Sequence, residues 1–536
     1  MSRKAWVIAA GAAALCGGAA VAVAVTGRGG PGYDPLAYAR EHEGRPGNRE
    51  ATVPPACYLR TGGRHNTCWT CHTQPVGPNE INDADLQVSY AFSAFASTNH
   101  WENVLSSPGG EAKDWSDGRV LDYVRADNYR ALRAALKRTP GYQGFVPDVD
   151  LEAGFDEDGF ARDGSGWREV RYKPFPSGGW PTSGGNAGEV LVRLPPAFRR
   201  QAGGGESKAV YQLNLALLEA AVAAPEDDRA GRRVEPVDER LIDFDLDGDG
   251  ALGTAERVHR LPETYAGAAR GVKVERLLYP EGTEFLHPVR YLDPDAPSFA
   301  ARRMKELRYS RKVQELGAWG RNYAYEEARE EKERARAPHP PGNYEVGLRG
   351  GIGWQLQGFI EDADGRLRAQ TTEEHLFCMG CHANLGVLVD GTFALPRKVP
   401  GRDGWRAQDL RGMKDVPQAG HAEGEVAVYL RRAGLAHELG ENDELAAKLL
   451  PGGNLDEAAV RRAGPGGDQD LASLLLPSRE RALVLDRAYL SLVKRQRFDL
   501  GRDALPSPAR RVLRSVEGEE TRLTVLRDGR LHLRWE

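Results

Sequence analysis

Polar and apolar residues change rhythm several times along this chain. Residues 5–25, AWVIAAGAAALCGGAAVAVAV, carry no charge and follow MSRK, with Arg3 and Lys4. Cations ahead of an uncharged apolar run are the n-region and h-region of an export signal. The run is also long enough to span a bilayer if it is left uncut. Ala22-Val23-Ala24 offers a small-residue cleavage site before the polar linker TGRGGPG. Cys16 lies inside the run, but Leu15 is bulky where a lipid-attachment site expects a small residue, so Cys16 reads as a small apolar member of the segment. No second run of spanning length occurs. LNLALLEAAVAA, residues 213–224, predicts a helix. YAYEEAREEKERARA, residues 323–337, predicts a solvated helix whose Glu and Arg recur at three- and four-residue spacings. YKPFPSGGWPTSGGN, residues 172–186, is too rich in Pro and Gly for regular structure. RLTVLRDGRLHLRW, residues 522–535, reads as a hairpin turning at Asp528-Gly529.

Composition turns these segments into a fold expectation. Apolar residues at 40% suffice for a core, while 63 glycines and 33 prolines in 536 residues call for many turns. The expected class is mainly α, with long irregular Gly/Pro-rich connections and minor β from the C-terminal hairpin. Charge is nearly balanced, 72 basic against 77 acidic residues, and no Lys/Arg block appears, so no nucleic-acid partner is expected.

Chemistry is concentrated in the cysteines. Four of the six fall in two copies of one frame, HNTCWTCH at residues 65–72 and HLFCMGCH at residues 375–382. Cys68, Cys71 and His72, and again Cys378, Cys381 and His382, spell the attachment motif of c-type haem. Two thiols three positions apart add to the two vinyl groups of one porphyrin edge, and the following His binds iron from the proximal side. Composition alone makes two chance copies negligible. A redox disulfide of thioredoxin type, or a zinc site built from both pairs, needs no His after either second cysteine. Through these two pentapeptides the chain resembles bacterial exported multihaem c-type cytochromes. The resemblance implies two covalent haem c groups, thioether links at Cys68, Cys71, Cys378 and Cys381, proximal ligands His72 and His382, and a core organised around haem. Dihaem peroxidases also carry two such motifs, but closer together in the chain and with a Met ligand that is not evident here.

The distal iron ligand decides between a carrier and an enzyme. His65 and His375, three residues before each first cysteine, cannot easily cross their own porphyrin but would reach a neighbouring one. His100, behind Phe92 and Phe95, and His287, in LYPEGTEFLHPVRYL, are the other candidates. Met304 and Met413 look like ordinary helix or loop residues. His42, His339, His421, His437 and His532 lie in polar surroundings, and His259 belongs to the calcium region. Cys57 reads as a buried thiol.

That region is DLDGDGALGTAE, residues 245–256. Asp at positions 1, 3 and 5, Gly at 6 and Glu at 12 match the EF-hand loop, in which oxygens surround one hard cation. Asp245, Asp247, Asp249, the Ala251 carbonyl and Glu256 are the expected ligands of one Ca2+, read as a structural clamp. Five regions are expected: 1–27 as signal peptide or anchor, 28–200 and 301–420 around the two haems, 201–300 around calcium, and 421–536 as helices and hairpin. The last four allow for one merged globule. The leading expectation is an exported dihaem cytochrome that passes single electrons to redox partner proteins of the cell envelope. It would touch the membrane only through an uncut N-terminal segment. The alternatives are a dihaem oxidoreductase with one open-faced haem and a calcium-dependent envelope protein.

Overall fold

The computed structural model describes residues 32–44, 47–60, 93–106, 109–173, 186–223, 231–334, 336, 339–382, 389–392, 394–417, 423–434, 439 and 441–516. At its centre is an eight-stranded antiparallel sheet in the order β1-β2-β5-β6-β9-β8-β7, with β10 also paired to β9. Its strands are β1 (Arg168–Val170), β2 (Val190–Arg193), β5 (Glu284–Leu292), β6 (Ala300–Lys312), β7 (Gly342–Asn343), β8 (Gly347–Arg349), β9 (Trp354–Glu361) and β10 (Leu367–Ala369). β3 (Arg232–Asp238) and β4 (Thr254–Val258) form a separate hairpin. Strands of the main sheet come from three of the expected regions, so the chain between 168 and 369 shares one scaffold.

The expectation of a mainly α fold is wrong: about 33% of the structure is helix and 19% strand. The reason lies in β6, ARRMKELRYSRK. Its alternation is hidden because the inward positions carry charge. Arg303 pairs with Glu361 at 3.0 Å, Glu306 with Arg308 at 2.8 Å, and Lys312 with Asp390 at 2.7 Å. Charged side chains are fully buried only when paired, and here pairing lets polar letters fill core positions.

Helices cover both faces. On one, Leu286, Met304, Leu307 and Phe359 meet Leu132 and Leu136 of α2 (Tyr129–Arg138), which comes after α1 (Asp117–Arg125). On the other, Phe285, Trp354 and Leu356 share a core with α3 (Lys208–Ala221), whose Ser207 hydroxyl accepts from the Val210 amide as an N-cap. The helix predicted from residue 213 therefore starts earlier, at its cap. The charged helix is α4 (Ala318–Glu333). A third cluster joins α1 to α6 (Arg479–Arg495) across Tyr291 and Ile360. The turn-rich stretch around His287 is instead strand β5, and the C-terminal hairpin lies outside the described residues.

Candidate functional site

The second cysteine frame forms most of a helix, α5 (Thr372–His382). Its start is a capping box. Thr371 Oγ1 accepts from the Glu374 amide at 3.1 Å, and the Glu374 carboxylate accepts from the Thr371 amide at 2.8 Å. Glu374 is also gripped by Arg368 through two bonds of 2.8 Å. Burial pushes this carboxyl up, but Arg368 outweighs it and holds it below its ordinary range. With the start fixed, His375, Cys378 and His382 recur at spacings of three and four and share one face.

The two histidines of that face have different partners. His375 is fully buried. Its Nδ1 donates to the Thr371 carbonyl at 2.8 Å, and its Nε2 accepts from the Gly358 amide of β9 at 2.8 Å. Both nitrogens are thus committed to backbone, and burial lowers the ring to about 4. His382 donates from Nδ1 to the Gly391 carbonyl at 2.9 Å, which leaves Nε2 as its lone-pair nitrogen. Gly391 sits in a two-residue turn pinned from below, because Asp390 accepts from buried Lys312. Cys378 is half-buried against the core shared with α3 and forms no disulfide.

β5 brings His287 to the same region, opposite Arg308 of β6. Its Nε2 is sealed from solvent with no hydrogen-bond partner among the described residues. Burial first, then Arg308 and His382, lower His287 to about 3, so the two imidazoles feel each other. Glu306 links Arg308 to Arg502, at 2.8 and 3.0 Å, and Arg502 lies 4.8 Å over the Phe377 ring. His287, Cys378 and His382 are brought together. His100 is elsewhere: its ring stacks on Phe95 at 4.0 Å, and Nε2 is bonded to the Phe95 carbonyl. Met304 and Met413 are buried in separate cores. Cys68, Cys71, His72 and His65 lie outside the described residues.

The acidic loop folds around its own backbone. Asp245 accepts from the amides of Gly248 and Gly250, Asp247 from Asp249, and Asp249 from Ala251. No EF-hand surrounds it. A 3-10 turn (Glu239–Leu241) precedes the loop and strand β4 comes after it. Glu256 lies in that strand, faces solvent and does not join the cluster of carboxylates. The carboxylate oxygens of Asp245 and Asp247 instead come within 4.8 Å of Glu239. Glu239 is buried and also accepts from the amides of Leu246 and Gly253, at 2.7 and 2.8 Å. The loop pattern gave no sign of Glu239, since it stands ahead of the twelve positions that define it.

A lipoprotein family profile matches residues 42–443. An uncharacterized lipoprotein of Aquifex aeolicus (strain VF5) is 31% identical over 523 residues, covering 85% of this chain and 86% of that protein. No solved structure matches. These findings overturn the resemblance to c-type cytochromes, which rested on two pentapeptides, whereas the lipoprotein likeness runs through most of the chain. The single-electron carrier and the dihaem oxidoreductase fall with it, as does the description of the protein as a cytochrome; neither match is to a cytochrome c family.

Proposed function

Because the chain belongs to a lipoprotein family, and so to a class of exported, membrane-associated proteins, we propose that lipid on Cys16 anchors it to a membrane of the cell envelope. Its folded body would then lie outside the cytoplasm. The observation that carries this reading is positional. Cys16 sits in the uncharged segment behind MSRK and is the only cysteine before Cys57. Cys57 belongs to the folded body, packed against the core that holds Tyr58 and Trp101. A thiol receives lipid beside the bilayer, a place open to Cys16 and closed to Cys57. Leu15 is the one departure from a small-residue approach to the thiol. Among the described residues no helix is long and apolar enough to cross a membrane. Metabolic labelling with a fatty acid tests the reading. Label is expected on the wild-type chain and lost in Cys16→Ser; an unlabelled wild type, or a labelled variant, would contradict it.

The body is proposed to hold two kinds of cofactor. Cys68, Cys71 and His72, and Cys378, Cys381 and His382, suit covalent haem by their spacing. In the second frame this is supported by the orientation of His382 and by the Nε2 of His287, sealed from solvent and without a partner among the described residues. Such a group would supply an iron for imidazole nitrogen to bind; the chain's part would be to hold and orient it through residues such as His382 and His287. A calcium ion is proposed at Asp245 and Asp247, with Glu239 in the place that Glu256 does not reach.

A further inference from the structure

A cavity of about 380 Å³ opens between β1, residues 187–189 ahead of β2, the turn joining β5 to β6, and residues 407–410, with Gly188 of its wall lying against His287. Its walls are of two kinds. Leu151, Phe155, Phe299 and Leu410 give an apolar side. Phe299 is held in the left-handed region at φ 62°, a conformation that a bulky side chain keeps only where its surroundings impose it. Here the Asp293 amide donates to the Phe299 carbonyl, and the Phe299 amide to Ala296.

The polar side is unbalanced. Glu189 is neutralised by Arg290 at 2.7 Å, and Arg302 is engaged by Glu152 outside the lining. Glu169, from the middle of β1, has only the Ala407 amide as a donor, and among the described residues no cation pairs with it. Burial first, then the like charges of Glu189 and Asp156, push Glu169 up to about 8. A carboxyl in this state is stabilised by any cation brought to it. The aromatic rings that line the same cavity favour a cation as well.

We propose that this cavity binds a small organic cation, an ammonium group carried on an apolar body, with Glu169 as its counter-ion and the Phe155–Phe299 side as its apolar seat. An ammonium would enter as a proton leaves Glu169, so the site exchanges one positive charge for another. A neutral ligand of the same shape would gain the apolar contacts alone.

Calorimetric titration of the detergent-solubilised full-length chain with 2-phenylethylamine, and with neutral 2-phenylethanol, tests this. At pH 7 the amine is expected to bind about tenfold or more tightly than the alcohol, with proton release read from the dependence of heat on buffer. Glu169→Gln should abolish the release and weaken the amine about tenfold. Equal affinities, no binding of either probe, or unchanged proton release in the variant would overturn the proposal. Should the variant fold poorly, the wild type decides alone. Between pH 6.5 and 8.5 its affinity for the amine should rise roughly tenfold as Glu169 ionises, and a flat profile would overturn the assignment.

Discussion

His375 commits both ring nitrogens to backbone and is left no room for a proton. Its Nε2 accepts from Gly358 and its Nδ1 donates to Thr371, so protonation would break the bond to β9 inside the core. Held at about 4 against roughly 6.5 when unfolded, the ring makes the unfolded chain bind more protons throughout that window. This contribution is full above pH 6.5 and is lost as pH falls toward 4. It amounts to roughly 3 kcal/mol. His375→Gln should therefore be less stable than wild type at pH 7 in urea denaturation, with the gap closing as pH falls to 4. A gap independent of pH would contradict this role. The sequence marked this residue as an imidazole near a cysteine pair. It could not tell which atom each nitrogen would meet, because Gly358 and Thr371 become neighbours only when α5 packs on the sheet.

At the scale of elements, local chemistry was legible and context was not. The alternation Asp245, Asp247, Asp249, Gly250 identifies a loop whose carboxylates gather backbone amides, and the structure has that loop. The element after the loop is set by β3, whose pairing draws Thr254–Val258 into a strand and turns Glu256 outward. The long strands were hidden for a related reason, since β6 fills core positions with paired Arg, Lys and Glu. Helices α3 and α4 were visible because their patterns need no distant partner. A cation held by Glu239, Asp245 and Asp247 would stabilise the folded chain. Millimolar calcium should therefore raise the melting temperature over chelator, and saturation at a hundredfold excess over Kd corresponds to about 2.7 kcal/mol. Asp247→Asn should remove that rise and Glu256→Gln should leave it intact. The reverse pattern would restore the helix-flanked arrangement.

For the whole molecule, the same distinction between a short motif and an entire chain governs identity. Two five-residue frames suggested a cytochrome, yet residues 42–443 match a lipoprotein family and 85% of the chain aligns with a lipoprotein. The lipoprotein likeness agrees with export, which the uncharged segment behind MSRK leads one to expect, while Cys16 within that segment reads from sequence alone as a small apolar residue because its neighbour Leu15 is bulky. Once a lipid anchor is the premise, Cys16 becomes the residue on which membrane attachment depends. Intact-mass spectrometry of the chain extracted from membranes is the decisive test. The expected species begins at Cys16 and carries the added mass of lipid there. A chain that begins after Ala24, or one that retains Met1 with an unmodified Cys16, would contradict it.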